Sequence, residues 1–228
     1  MTLEVRTALE QADLLVGYER YIEMVAPLYP EKPVLMTGMT REVERCRRAY
    51  ERAAAGERVA LVCSGDAGVY GMASPALELS PEYPGVSIRV LPGVTAALGS
   101  AARMGAPLGN DFCAVSLSDR LTSWDTIELR LRLAARAGFV LALYNPVSKH
   151  RPEGLRRASE ILLEELPAQT LCGLAHRIGR EGESTRICCL GDLSSMEADM
   201  GTTVLVGNRD TRQLCGWLVT PRGYGEKR

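Results

Sequence analysis

The chain has 228 residues, 46% of them apolar, enough to bury a sizeable core in one large domain or two small ones. Lys and Arg total 27 against 28 Asp and Glu, so no global field recruits nucleic acid or an anionic membrane, and a small-molecule partner is favoured. No apolar run reaches the roughly 18 to 20 residues of a membrane span, and MTLEVRTALEQADLL lacks the basic start and apolar middle of a signal peptide, so a cytoplasmic protein is expected.

In chain order, DLLVG (13–17) and KPVLM (32–36) read as strands. Residues 39–55 carry Val43, Cys46, Tyr50 and Ala54 at helical spacing, with Gly56 as the stop. RVALV (58–62) reads as a buried strand, CSGDAGVYGM as a glycine-rich loop, and Pro75 to Leu79 as part of a helix. VSIRV (86–90) reads as another strand and Val94 to Met104 as a small-residue helix. Alternating strands and helices predict a parallel sheet with crossovers. Gly105-Ala-Pro-Leu-Gly-Asn110 has linker composition, which predicts an N-terminal α/β domain over 1–108 and a C-terminal one over 109–228.

The second half begins with a strand at FCAVSLS (112–118), a helix opened by Thr122 with Asp125 three residues on, and a strand at FVLALY (139–144). A helix from about Pro152 to Leu166 precedes strands near 171–175, 184–190 and 202–206, spaced too closely for helices between them, which predicts a mixed sheet. The seven cysteines are scattered and form no C-x-x-C pair that His150 or His176 could join, so no protein-bound metal is expected. Cys188 and Cys189 alternate in a strand, one facing the core.

Three segments carry candidate chemistry, each at the end of a strand, where open α/β sheets bind ligands. Ser64 to Gly71 offers backbone amides and the Asp66 carboxylate; it reads equally as a tight turn with Asp66 capping the next helix. Leu91-Pro-Gly-Val-Thr95 reads by local chemistry as a type II turn with Thr95 as a helix cap. Tyr144-Asn145-Pro146 offers a flat face, a hydroxyl and an amide suited to adenine or ribose, or simply closes a strand in an Asn-Pro turn. Basic residues follow the strand ends: Lys149, His150 and Arg151, then Arg177 and Arg180 beside Gly179, Gly182 and Glu183. These are either a solvated face or cations for substrate carboxylates.

The succession GDAGVYGM, LPGVTAALGSAARMGAPLG, SLSDRLTSWDTIELRL, LYNPVSKHRP, GREGES, TTVLVGN and TPRGY resembles the tetrapyrrole methylase family, and within it the precorrin-3B or cobalt-factor III C17-methyltransferases, from about residue 1 to residue 224. That resemblance implies a homodimer of two α/β domains with S-adenosylmethionine in a cleft between them. Carried over residue by residue, the cofactor contacts are Ser64, Gly65, Asp66, Val69, Thr95, Ala96, Tyr144, Asn145 and Gly179. Ser118, Asp119, Arg151 and Arg180 are the candidates for the substrate side, from their places after strand ends. The implied reaction is attack of a pyrrole carbon on the sulfonium methyl, coupled to ring contraction, with no side-chain nucleophile.

Two departures stand out. The family opens with a strand and a Gly-Pro-Gly-Asp loop before the Met-Thr found here, so the first sheet is expected to lack a strand, and a start codon roughly 15 to 20 residues upstream is expected from the length of one strand and a loop. Ala67 also stands where the family generally has proline. The alternative is a non-catalytic module that binds a nucleotide or tetrapyrrole.

Overall fold

A computed structural model describes residues 1–148 and 151–224. Its backbone falls into two compact units, Met1–Thr95 and Ala96–Arg228.

The first unit opens with helix α1 (Leu3–Gln11), whose N-cap Thr2 accepts a hydrogen bond from the Val5 amide. Strand β1 (Leu14–Tyr18) lies between β2 (Val34–Thr37) and β3 (Val59–Val62), all parallel. Leu14, Leu15 and Val16 of the central strand are all buried, the continuous apolar run of a parallel strand covered on both faces. Helix α2 (Glu19–Val25) follows β1 directly. Helix α3 (Glu42–Ala54) buries Arg45, Cys46, Ala49 and Tyr50, whereas Val43 is exposed, so its inner face is rotated from the expected one. The reason is polar: the Arg45 guanidinium donates to Thr37 Oγ1 at 2.7 Å and to the Gly38 carbonyl at 3.0 Å, so a charge fills what spacing assigns to an aliphatic side chain. Helix α4 (Ala73–Leu79) packs Ala76 and Leu79 against Cys46 and Tyr50.

Residues 86–90 do not form the expected strand. They join no ladder among the described residues, with Ile88 37% and Val90 46% exposed. Their β propensity has no neighbouring strand to act on, and Arg89 instead pairs with Glu4 at 2.7 Å.

The second unit holds α5 (Ala96–Met104), β4 (Gly105–Ala106), β5 (Phe112–Ser116), α6 (Trp124–Arg136), β6 (Val140–Tyr144) and α7 (Gly154–Leu163). It continues with β7 (Leu171–His176), β8 (Ser184–Cys189), β9 (Thr202–Val206), β10 (Arg212–Leu214) and β11 (Trp217–Val219). The main sheet has the order β5-β6-β9-β7-β8, with β5 and β6 parallel and the other pairs antiparallel, the mixed sheet expected. Alternation sorts its two faces. Leu141, Leu143, Val204 and Val206 pack with Ile127 and Leu131 of α6 and Leu155 and Leu162 of α7, while Ala142 and Leu205 pack with Ala97, Ala101 and Met104 of α5. Cys188 packs against the first of these clusters opposite Cys172, so it is the core-facing member of the Cys188-Cys189 pair. Helix α6 is capped by Ser123, which accepts from the Thr126 amide, rather than by Thr122.

The boundary between compact units falls after Thr95, whereas linker composition points to 105–110. That segment is built into the second unit: β4 pairs in parallel with β11, and Gly105 adopts φ +124° with its Cα against the Leu218 carbonyl. Hairpin β10–β11 escapes notice in the sequence because its strands are short; it turns on Cys215 and Gly216, both at positive φ, as a two-residue hairpin turn requires.

A true linker would tolerate Gly105→Ala. Here a Cβ would sit 2.8 Å from the Leu218 oxygen at a φ that side chains avoid, so thermal unfolding should show a loss of about 1–3 kcal/mol. An unchanged Tm would return residues 105–110 to linker status.

Candidate functional site

In the first unit, the chain leaving β3 turns through Gly65 at φ +74° and Tyr70 at φ +52° before α4. A bulky residue in the left-handed region is strained, and such strain persists only where surrounding bonds over-determine the loop. Here the Ala73 amide donates to the Ala67 carbonyl at 2.9 Å and the Val69 amide to the Asp66 carbonyl at 3.2 Å. A Cβ on Gly71 would sit 2.6 Å from the Ala67 carbonyl, which is why glycine closes the loop.

The Asp66 carboxylate joins two of the sequence motifs. Its Oδ1 accepts from the Gly68 amide and its Oδ2 from the Gly93 amide, each at 2.8 Å. Asp66 therefore caps no helix; it clasps the glycine loop to the Pro92-Gly93 turn. The approach is so close that a Cβ on Gly93 would collide with the Gly65 carbonyl. The amides of Gly93 and Gly68 hold the Asp66 carboxyl below its ordinary value. Ser64, Gly65, Asp66 and Val69 thus lie on one loop, with Thr95 just beyond the turn that Asp66 grips.

In the second unit, β5 and β6 are parallel, and β6 and β7 each run antiparallel to β9, so β5, β6 and β7 end on the same edge of the sheet. That edge collects Ser118 and Asp119, Tyr144 and Asn145, and Gly179 and Arg180. Asn145 sits at φ +54°, a conformation asparagine tolerates, and its Nδ2 donates to Ser116 Oγ at 2.9 Å. The Tyr144 hydroxyl accepts from the Ala97 amide at 2.9 Å, satisfying an orphan donor at the start of α5 beside Ala96. The Gly179 amide donates to Glu183 Oε2 at 2.6 Å, and Glu183 also accepts from Arg103 Nε at 2.6 Å. These two bonds keep the Glu183 carboxyl below its usual range, and they mean the Gly179 amide already has a partner.

Arg151 Nε lies 3.8 Å from Asp119 Oδ1, which brings two of the substrate-side candidates together. Its buried Nη1 has no partner among the described residues. Lys149 and His150 lie outside the described residues. His176, at the end of β7, belongs to none of the sequence motifs, and its Nε2 lies 3.2 Å from Asp199 Oδ2. Asp199 Oδ1 accepts in turn from the Gly201 amide at 2.8 Å and from Thr202 Oγ1 at 3.0 Å. A sequence separation of 23 hides that pair from any local motif.

Residues 1–194 match the family model of the tetrapyrrole (corrin/porphyrin) methylases. The chain belongs to this family. It is 45% identical, over 98% of its length and 93% of the relative's, to a probable cobalt-factor III C(17)-methyltransferase of Salmonella typhimurium. It is 44% identical, over 98% of its length and 91% of the relative's, to a precorrin-3B C(17)-methyltransferase of a Sinorhizobium species. The fold is similar to the crystal structure of the methyltransferase CobJ, with a TM-score of 0.92 and 44% identity over 97% of this chain and 93% of that one.

Replacing Asp66 with alanine removes both acceptors and should lower hydrogen-exchange protection of the Gly68 and Gly93 amides by about 1 kcal/mol, the net worth of a partly exposed bond. The sign of the pH effect follows from the lowered folded-state value. The clasp's contribution is complete above the ordinary aspartate value of 3.8 and is lost as pH falls through the lower folded value. Asp66→Asn should abolish that acid-side dependence, and an identical acid profile in the variant would show that the clasp contributes nothing.

Proposed function

We propose that this protein is an S-adenosylmethionine-dependent C-methyltransferase acting at C17 of precorrin-3B or cobalt-factor III, with coupled ring contraction, in cobalamin biosynthesis. Kinship along nearly the whole chain to relatives named for C17 methylation carries the reading. The sulfonium of the cofactor supplies the methyl group.

Two features of the chain suit the cofactor. Glycines at 71 and 93 let backbone approach backbone where a Cβ would intrude, and Gly65 supplies a positive φ, so the loop presents peptide groups to a nucleoside. The Asp66 clasp holds that backbone in shape before any ligand arrives, so little ordering entropy remains to be lost on binding. In this reading Ser64, Gly65, Val69, Thr95 and Ala96 contact the cofactor, while Asp66 fixes the loop that does so. Tyr144, Asn145 and Gly179 complete the set from the sheet edge. Ser118, Asp119, Arg151 and Arg180 receive the tetrapyrrole, the Arg151 guanidinium pairing with a substrate carboxylate. The macrocycle's own carbon is the nucleophile, so the residues position and neutralise, and none forms a bond to substrate. The protein works in this proposal as a cytoplasmic homodimer without a resident metal.

Mass spectrometry of the product formed from cobalt-factor III and S-adenosylmethionine should show one added methyl and a contracted ring; binding of the cofactor with an unaltered tetrapyrrole would reduce the protein to a binding module. Arg151→Ala should raise the KM for the tetrapyrrole about tenfold or more, as loss of a charge-assisted bond does, and leave cofactor affinity unchanged. An unaltered KM would remove Arg151 from the substrate side.

A further inference from the structure

The last motif of the chain, Thr220-Pro-Arg-Gly-Tyr224, has no role in the scheme above. It borders a concavity of about 330 Å³ on hairpin β10–β11, lined by Arg212, Leu214, Val219, Pro221, Arg222 and Tyr224 among others. In the register of the hairpin Arg212 lies opposite Val219 and Leu214 opposite Trp217, so Arg212, Leu214, Val219 and Trp217 share the face opposite to buried Leu218. Leu214, Trp217 and Tyr224 are 49%, 54% and 79% exposed, an apolar and aromatic surface that water covers at a cost. Neither Arg212 nor Arg222 has a hydrogen-bond or ion-pair partner among the described residues. Arg132, Arg136 and Arg156, by contrast, are ion-paired.

Two unpaired guanidinium groups around one apolar-walled concavity repel each other until an anion enters, and planar forks of this kind match carboxylates. We infer that this concavity is a carboxylate subsite: it takes the acidic arms of a ligand with a flat apolar body, which under the function proposed above is the tetrapyrrole substrate. Its volume is at the small end for ligand sites, so it holds one edge of a macrocycle with its arms rather than the whole. Arg212 and Arg222 supply the anion contacts, and Leu214, Val219 and Tyr224 the apolar walls.

The test uses the full chain and uroporphyrin, an octacarboxylate porphyrin, as probe. Calorimetry should show binding to the wild type that weakens with salt, and at least tenfold weaker binding to the double variant Arg212→Gln/Arg222→Gln, with S-adenosylmethionine affinity and Tm unchanged. Both single variants should lie between. Should the double variant lose its fold, the single variants carry the test, each expected to weaken uroporphyrin binding by severalfold. In turnover, the double variant should raise the KM for cobalt-factor III and spare the KM for the cofactor. Equal uroporphyrin affinity in wild type and variants, or none in either, overturns the subsite. Wild-type methylation of cobalt-factor III would in that case still uphold the proposed function, so the two failures are distinguishable.

Discussion

A single carboxylate organises the loops of the first unit. Asp66 spends both oxygens on backbone amides, one within its own loop and one 27 residues away, and each bond has good geometry at 2.8 Å. Without it, the glycines at 65, 68 and 93 would give the two segments the freedom that makes glycine-rich chain costly to order. With it, glycine becomes the means of close approach, because the Gly93 backbone can rest on the Gly65 carbonyl only when residue 93 carries no side chain. Permissive backbone and one ionised clasp together make a rigid surface of peptide groups. The loop's conformation thus depends on charge at Asp66, whose lowered proton affinity keeps it ionised at any physiological pH.

The second unit reaches rigidity by another route. Ile127, Leu131, Leu141, Leu143, Leu162, Leu190 and Leu193 are fully buried in one cluster between the sheet, α6 and α7, each contributing about 1.5–3 kcal/mol by leaving water. Isolated surface ion pairs add little beside this. The exception is a network in which Arg132 reaches Glu128, Glu164 and Glu165 while Arg136 doubles the bond to Glu165, itself 9% exposed. It ties α6 to the end of α7, on the side of the sheet away from α5. The opposite face includes Ala97, Ala101, Ala142 and Ala175 among larger side chains, and there α5 comes close enough for the Tyr144 hydroxyl to take its Ala97 amide. Small residues on that face let the helix start approach the strand end that carries Tyr144 and Asn145.

Where local pattern and tertiary need coincide, the sequence is readable. The strands at 14–18, 34–37 and 59–62, the helix after Gly38 and the five strands of the mixed sheet follow from apolar runs bounded by glycine or proline. Legibility fails where a distant partner decides. VSIRV has the composition of a strand but no ladder to join. Val43 has the spacing of a core residue, yet Arg45 takes the inner face because Thr37 and Gly38 accept its protons. Gly105 looks like hinge material and is a glycine for steric reasons, set by Leu218 more than a hundred residues later. The site divides in the same way. The motifs at 64–71, 92–95 and 144–145 are visible as strand-end loops, but neither the Asp66–Gly93 bond nor the His176–Asp199 pair has a local signature.

The distribution of acid–base capacity fits a reaction in which the protein positions and the substrate reacts. Cys63 precedes the glycine loop, and burial pushes its thiol up, away from the thiolate that a nucleophile needs. Cys188 is pushed up to about 11 by the same cause. The strand ends carry amides, hydroxyls and guanidinium groups, which hold and orient charge without forming bonds to carbon, beside the Asp119 carboxylate and the His176–Asp199 pair. Transfer of a methyl group from an already activated sulfonium asks for little more than alignment and exclusion of water. A chain that spends the carboxylate of its glycine loop on its own backbone leaves that loop to bind and position, which is what a reaction supplied with an activated methyl donor requires of it.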